Sequence, residues 1–322
     1  METRVVRHRC GDGVEIEAEV RGDGPAVLLL HGYPESRAMW DEVAPVLAAA
    51  GRTVVAADLR GYGASSKPAP RTAADATGAA REPGPAREPD ADAPRPDATY
   101  SKRAMAADQH GLMASLGFDR FDVIGHDRGA RVGHRLALDH PQAVRSLAVM
   151  DVVPTLHMFE HVDRAMAATY FHWFFLALES EMPAKLIEAA PEVWLRSRFE
   201  GRNVGGGMPI AEERYAAYER WFATPEAIAA TCADYRAAAT VDLDADRADR
   251  DAGTKIEAPL LTVWGSESYV GRSFDVVATW QPYAAGTVAG AAIRSDHYMA
   301  EERPAETAAV LARFLDQLGA TP

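Results

Sequence analysis

One stretch of the chain limits its possible folds more than any other. An apolar segment at 121–124 runs into Gly-His-Asp-Arg-Gly at 125–129, and a helical pattern follows over 131–138. Glycines two positions before and after Asp127 let the chain turn sharply and present the central side chain above the end of a strand. This is the layout of a nucleophile elbow, with Asp127 where hydrolases usually carry serine. The alternative is an ordinary strand-to-helix turn in which Asp127 caps the helix.

The rest of the chain predicts the sheet that such an elbow needs. Apolar runs without alternation, typical of strands covered on both faces, lie at 26–30, 53–57, 121–124, 147–150 and 259–264. Residues 14–20 alternate apolar and acidic side chains, which predicts a half-exposed strand near an edge. Helical patterns occur at 38–50, 101–116, 131–138 and 304–318. We therefore expect an α/β fold with a mostly parallel, doubly wound sheet and a ligand site at the carboxyl ends of its strands.

Two segments interrupt this alternation of strands and helices. Residues 68–98 contain seven prolines and almost no large apolar side chain, which predicts a disordered loop. Residues 154–250 are rich in alanine and aromatic residues, have a helical period and lack buried-strand runs. We expect this second segment to be a helical cap, inserted into a core domain made of residues 1–153 and 251–322.

Charge and composition narrow the possible partners. A formal net charge of −13 argues against nucleic acid or a membrane surface as a partner. The same charge would repel a small anionic substrate, so binding one would require arginines placed locally. The chain has two cysteines, Cys10 and Cys232, too few for a disulfide framework, and its first residues lack the apolar core of a signal peptide. These features favour a cytoplasmic protein.

Two further residues complete a catalytic constellation with Asp127. Asp151 directly follows the predicted strand at 147–150, and His297 lies shortly before the last helix. Nucleophile, acid and base in that chain order match the triads of α/β hydrolases. Glu267, after the strand at 259–264, is a rival for the orienting acid. The backbone N–H groups of Tyr33 and Arg128 are positioned to stabilise an oxyanion.

A carboxylate nucleophile narrows the reaction. Asp127 would displace a leaving group from saturated carbon and form an alkyl ester with the enzyme. His297, oriented by Asp151, would then take a proton from the water that attacks the Asp127 carboxyl carbon. Halide and epoxide oxygen are the leaving groups that fit, and the mechanism requires neither a metal nor a cofactor.

Several motifs carry a resemblance to a known family. His-Asp-Arg-Gly-Ala-Arg, Leu-Asp-His-Pro and Met-Asp-Val-Val-Pro-Thr within 121–155 resemble the fluoroacetate dehalogenases of the α/β-hydrolase superfamily. So do Asp-Leu-Arg-Gly-Tyr-Gly at 58–63, the segment 100–109 and the segment 158–164. The resemblance covers nearly the whole chain except 68–98, which is longer than the family needs.

The resemblance implies roles for individual residues. It makes Asp127 the nucleophile, His297 the base and Asp151 the orienting acid. It further implies substrate-carboxylate binding by Arg128 and Arg131, and halide binding by His172, Trp173 and Tyr235. The implied reaction is hydrolysis of 2-haloacetates such as fluoroacetate to glycolate and halide, by a homodimer.

Two other functions stay open at this point. An epoxide hydrolase shares the Asp nucleophile and normally protonates its substrate with two cap tyrosines, for which Tyr215 or Tyr218 could be the second. A ligand-binding protein without activity would not need the nucleophile, acid and base together.

Overall fold

The computed structural model describes residues 3–70 and 98–319. Within these residues the strands are β1 (Thr3–Arg9), β2 (Glu15–Arg21), β3 (Ala26–Leu30), β4 (Thr53–Ala57), β5 (Phe121–His126), β6 (Val144–Met150), β7 (Leu260–Gly265) and β8 (Val288–Ile293). They form one eight-stranded sheet in the order β1-β2-β4-β3-β5-β6-β7-β8. Strand β2 is antiparallel to both of its neighbours, and every other pair is parallel.

The helices of the described chain surround this sheet. They are α1 (Val43–Ala49), α2 (Lys102–Ser115), α3 (Arg128–Asp139), α4 (Thr155–Glu160), α5 (Arg164–Thr169), α6 (Phe171–Leu176), α7 (Met182–Glu188), α8 (Pro191–Phe199), α9 (Glu212–Phe222), α10 (Pro225–Ala238), α11 (Val241–Ala252), α12 (Tyr269–Ser273), α13 (Val276–Trp280), α14 (Met299–Glu302) and α15 (Pro304–Gly319). Short 3₁₀ turns lie at Arg37–Trp40, Ala98–Tyr100 and Gln281–Tyr283. No helix of the described residues combines the length and apolar character needed to cross a bilayer.

The strand order explains how the helices cover both faces. The connection from β3 through α1 to β4 runs one way along the sheet, and that from β5 through α3 to β6 runs the other way. Because such crossovers are right-handed, α1 and α3 lie on opposite faces. Helix α2 packs on α3 and α15 packs on α1. The reversal places the carboxyl ends of β3 and β5 side by side, the usual ligand position in open α/β sheets.

The predicted fold class is confirmed, and most predicted elements lie within a few residues of the observed ones. Strands β3 and β4 have the predicted ends and are buried along their whole length, which explains why they do not alternate. Strands β1 and β8 were missed. Strand β1 is largely exposed and polar, and β8 consists mainly of alanine and glycine with only its two end residues buried. The single helix expected at 38–50 is divided into a 3₁₀ turn and α1.

The segment between β6 and β7 consists of eight helices, α4 to α11, and its residues, all of them described, contain no strand. We call it the helical insertion, Thr155–Ala252. Its extent is close to the predicted cap at 154–250, and the division into two domains stays a prediction. Of the loop predicted at 68–98, residues 71–97 lie outside the described part of the chain.

Candidate active site

Asp127 lies at a sharp turn between β5 and α3. Its backbone has φ 45° and ψ −112°, a region that residues other than glycine seldom adopt. The two glycines of the motif are needed for close packing. A Cβ on Gly125 would lie 2.5 Å from the carbonyl oxygen of Gly129, and one on Gly129 would lie 2.4 Å from that of Leu30. The turn is therefore a strained elbow, and strain of this kind is often found at functional sites.

One of the two backbone N–H groups expected to stabilise an oxyanion already contacts the Asp127 carboxylate. The Tyr33 N–H, just after β3, donates to Asp127 Oδ2 at 3.1 Å. The Arg128 N–H belongs to the first residue of α3, where a helix offers no acceptor of its own. It makes no hydrogen bond to Asp127 in the structure. Because the ends of β3 and β5 are neighbours, the Tyr33 N–H lies within hydrogen-bond distance of the Asp127 carboxylate.

His297 is held by Asp151. Its Nδ1 lies 2.6 Å from Asp151 Oδ2. The other carboxylate oxygen accepts hydrogen bonds from the Gly265 N–H at 3.1 Å and from Ser268 Oγ at 2.6 Å. Like Asp127, Asp151 has a positive φ, 51°. The side chain of the rival acid, Glu267, is exposed, so the structure pairs His297 with Asp151.

A second buried histidine, His126, contacts the backbone of His297. It was not predicted from the sequence. His126 Nε2 lies 2.9 Å from the carbonyl oxygen of His297, and its Nδ1 lies 3.0 Å from Glu35 Oε2. Burial lowers the pKa of His126, but the charge and hydrogen bond of Glu35 outweigh burial and raise it to about 9. Protonated His126 therefore links the nucleophile strand to the loop that carries His297.

This link predicts a loss of stability at alkaline pH. The folded pKa of His126, about 9, lies above the value of about 6.5 for an unfolded histidine. Protonated His126 contributes its full stabilisation below about pH 6.5. This contribution to the free energy of unfolding, about 3 kcal/mol at most, is lost as the pH rises through 9. Thermal unfolding between pH 6 and 10 should show this loss in the wild type and a flatter profile in His126→Gln. A control, His161→Gln at an exposed position, should keep the wild-type profile.

The Arg128 side chain, expected to bind a substrate carboxylate together with Arg131, is not among those of the cavity wall and is paired with a carboxylate of the protein. Its Nε donates to Asp234 Oδ2 at 3.0 Å, and its Nη2 donates to Asp234 Oδ1 and, at 3.0 Å, to the Asp234 carbonyl. Lys102 and the Tyr62 hydroxyl also bind this carboxylate. Burial raises the pKa of Asp234, but the charges of Arg128 and Lys102 outweigh it and lower the pKa strongly. The positive charge of Arg128 is thus compensated by Asp234, although its buried Nη1 makes no hydrogen bond within the described chain.

Removing this carboxylate should destabilise the fold. Asp234→Asn would leave the buried Arg128 without its counter-charge. It would leave Lys102 only Asp242, whose Oδ2 lies 3.8 Å from the Lys102 Nζ. Breaking a buried ion pair in this way typically costs roughly 3–5 kcal/mol. Urea unfolding monitored by circular dichroism measures the loss. The control, Asp244→Asn, removes a pair with Arg247 on the surface and should cost less than about 1 kcal/mol. Equal losses in the two variants would contradict the role of Asp234.

Arg131 differs from Arg128 because it lines the cavity beside Asp127. One turn further along α3, its Nη1 donates to the Val153 carbonyl at 3.1 Å and to Thr155 Oγ1 at 2.9 Å. Its guanidinium carbon lies 4.7 Å from the ring centre of Trp173. These contacts fix the guanidinium without neutralising it.

The three residues expected to bind halide are close together, and two of them line the cavity. His172 and Trp173, both from α6, are in its wall, whereas Tyr235 is not. The ring centre of Tyr235 lies 5.6 Å from that of His172 and 4.3 Å from the guanidinium carbon of Arg128. Burial, aided by the charge of Arg198, holds the pKa of His172 well below its usual value, so the ring is neutral. Its buried Nδ1 has no partner among the described residues.

The cavity that joins these groups is small. About 20 Å³ is open to the centre of a water molecule, enough for a ligand of only a few heavy atoms. Its wall contains Asp127, Asp151, His297, Arg131, His172 and Trp173 together with Tyr33, Met158, Tyr170, Arg198, Arg202, Val270 and Tyr298. Sequence reasoning missed the side chains of this second group. Local sequence does not distinguish Arg198 or Arg202 from the other arginines of the helical insertion.

Asp127 is ionised in this setting. Burial raises its pKa, but the electrostatic influence of His297 and the guanidinium of Arg131 outweighs burial and lowers the pKa below its ordinary value. A buried carboxylate that stays charged, beside a base and an uncompensated guanidinium, can act as a nucleophile toward an anionic electrophile.

Comparison with known proteins identifies the family to which this fold belongs. Residues 25–186 match the family described as α/β hydrolase fold. A protein from Nostoc sp PCC 7120, assigned as an α/β hydrolase, has a solved structure that superposes with a TM-score of 0.86 at 40% identity, covering 98% of both chains.

Relatives by sequence include a dehalogenase and an epoxide hydrolase. A fluoroacetate dehalogenase from Burkholderia sp is 42% identical over 94% of this chain and 90% of its own length. A soluble epoxide hydrolase from Corynebacterium sp. (strain C12) is 28% identical over 94% of this chain and 95% of its own. On its fold, its elbow and these identities, the chain belongs to the α/β hydrolases and, within them, to the fluoroacetate dehalogenase family.

Proposed function

We propose that the protein hydrolyses 2-haloacetates to glycolate and halide. The observation that carries the proposal is that Asp127 and Arg131 line one small cavity, with no carboxylate at ion-pair distance from Arg131 within the described chain. A neutral alkyl halide or epoxide would leave that buried guanidinium without a counter-ion. A haloacetate supplies both the carboxylate for Arg131 and the electrophilic carbon for Asp127.

In the first step Arg131 holds the substrate carboxylate and presents the α-carbon to Asp127. A carboxylate oxygen of Asp127 forms a bond to that carbon as the carbon–halogen bond breaks, and the halogen leaves with the electron pair. The product is an ester between Asp127 and a carboxymethyl group. Charge-assisted hydrogen bonds from a planar guanidinium orient the substrate for in-line displacement.

Neutral N–H donors of His172 and Trp173 receive the departing halide in this proposal. Each hydrogen bond to a charged group contributes roughly 1.5–3 kcal/mol. Tyr235, whose ring centre is 5.6 Å from that of His172, supplies the third donor in this proposal. Such stabilisation matters most for fluoride, the poorest leaving group of the halides.

In the second step His297 removes a proton from water, and the water attacks the carboxyl carbon of Asp127. Asp151 holds His297 Nδ1 at 2.6 Å and leaves the other ring nitrogen for the water. The Tyr33 N–H, already 3.1 Å from Asp127 Oδ2, stabilises the developing oxyanion. Collapse of this intermediate releases glycolate and regenerates the Asp127 carboxylate, while the proton passes from His297 to solvent.

Halide release from fluoro-, chloro- and bromoacetate tests the proposal. We expect glycolate and halide in equal amounts, and lower turnover of 2-halobutanoates, because aromatic and charged side chains wall the small cavity closely. Ion chromatography measures both products. Purified, folded protein that released no halide from any of the three acids would refute the proposal.

Epoxide hydrolysis is the competing function, because a soluble epoxide hydrolase is among the relatives. The two tyrosines considered for it do not support that function. Neither Tyr215 nor Tyr218 lines the cavity, and the Tyr218 hydroxyl donates to Glu301. Turnover of styrene oxide without turnover of haloacetates would favour this second function.

The helical insertion would then serve as the cap that closes the site, since His172, Trp173, Arg198 and Arg202 all come from it. A homodimer and a cytoplasmic location stay predictions. Light scattering on the purified protein would measure the oligomeric state.

A further inference from the structure

Two arginines of the cavity have no part in the proposed reaction. Arg198 lies near the end of α8 and Arg202 in the loop that follows. Both line the cavity with Asp127 and Arg131.

The buried arginines of the described chain fall into two groups. Those that have a carboxylate at ion-pair distance are Arg52, Arg60, Arg128 and Arg135. Within the described residues, Arg131 and Arg198 are buried without one. A buried charge is expensive unless it is paired. Both of the buried guanidinium groups without a carboxylate at ion-pair distance therefore line the catalytic cavity.

The surroundings of Arg198 hold its guanidinium in place and leave part of it available to bind an anion. Only 5% of the residue is exposed, and its guanidinium carbon lies 4.7 Å from the ring centres of both Phe171 and Trp194. Its Nε and Nη2 reach only the hydroxyl of Ser197, and its buried Nη1 has no partner within the described chain. The aromatic rings fix the guanidinium plane and leave one donor edge free.

Arg202 adds a second positive charge close by. Its Nη2 donates to the Thr169 carbonyl at 3.1 Å, and none of the described carboxylates lies within ion-pair distance. Burial lowers the pKa of Arg198, and the charge of Arg202 lowers it further. An anion between the two side chains would relieve their repulsion and supply the missing acceptor.

We propose that Arg198 and Arg202 form a second anion-binding subsite of the catalytic cavity, separate from Arg131, which takes a small monovalent anion. The inference rests on the proposed function, because a haloacetate reaction offers two such anions: the incoming carboxylate and the released halide. The subsite would also counteract the repulsion between an anionic substrate and the negatively charged protein. A chain with net charge −13 repels its substrate at long range, and local cations raise the concentration of anions at the site.

Anion titrations by isothermal calorimetry test this subsite without any turnover. Sodium acetate and sodium bromide serve as probes at constant ionic strength. The variants are Arg198→Met and Arg202→Met, which keep an apolar side chain against the aromatic rings. We expect each to raise the dissociation constant of at least one probe roughly tenfold, as for the loss of one hydrogen bond to a charged group. A shift for acetate alone identifies the carboxylate as the occupant, and a shift for bromide alone identifies the halide.

Two further variants keep the inference falsifiable. Arg196→Met removes an exposed arginine of the same helix and should leave both dissociation constants unchanged. Arg198→Lys retains the charge and should recover part of the affinity, which a purely structural role of Arg198 would not require. Folded Arg198→Met and Arg202→Met proteins that bind both probes like the wild type would overturn the subsite. Absence of halide release in the assay above would instead refute the function while leaving these titrations valid.

Discussion

Asp127→Asn is expected to abolish haloacetate turnover, with kcat/KM for chloroacetate reduced roughly 10⁴-fold or more. The amide is a poor nucleophile, so the bond to the α-carbon cannot form and neither step proceeds. The substitution preserves shape at a position with φ 45°, a conformation that asparagine tolerates better than most residues. Initial rates of chloride release measure the effect.

The control for this variant is Asp119→Asn, at an exposed position just before β5, at the opposite end of that strand from the elbow. It should keep the wild-type rate. Intact mass of the Asp127→Asn protein after the assay excludes conversion of the amide back to aspartate. Residual activity within a factor of ten of the wild type, in protein without that conversion, would rule out Asp127 as the nucleophile.

His297→Asn is expected to stop the reaction halfway. Displacement by Asp127 requires no base, so halide should be released once per protein molecule. Hydrolysis of the ester requires His297, so the carboxymethyl ester should accumulate. Mass spectrometry should show a mass gain of one carboxymethyl group on the peptide that contains Asp127, together with a burst of halide and steady-state turnover reduced roughly 10³-fold or more.

The same measurement distinguishes an ester intermediate on Asp127 from direct attack of water on the substrate. An unmodified Asp127 peptide with residual multiple turnover would mean that water attacks the substrate directly. Asp151→Asn is the companion variant, because it removes the acceptor 2.6 Å from His297 Nδ1 but leaves the base in place. It should slow hydrolysis of the ester less than His297→Asn does. A larger effect of Asp151→Asn would point to a part for Asp151 beyond orienting His297.

The sheet was predictable where local residue patterns decide the structure. Strands β3 and β4 are continuous apolar runs because both faces are covered, and such runs can be recognised without knowing the neighbours. Strand β8 could not be found this way. Its alanines and glycine carry little β preference, and the strand exists because it pairs with β7.

The site was predictable in its residue types but not in all of its partners. Asp127, Asp151 and His297 follow strands or precede a helix at recognisable positions, and the fold brings them together. The partner of Arg128 could not be predicted, since Asp234 lies 106 residues away on α10. The pairing depends on how the helical insertion packs against α3.

By itself the sequence determined the elbow, the strand–helix alternation and the chain order of nucleophile, acid and base, since spacing over a few residues dictates each of them. The tertiary structure alone decided three other matters. It paired His297 with Asp151 rather than Glu267, it compensated Arg128 with Asp234, and it left Arg131 and Arg198 uncompensated in the cavity. The physical reason is that ionic pairing and burial depend on distances between residues far apart in the chain, which only the packed fold defines.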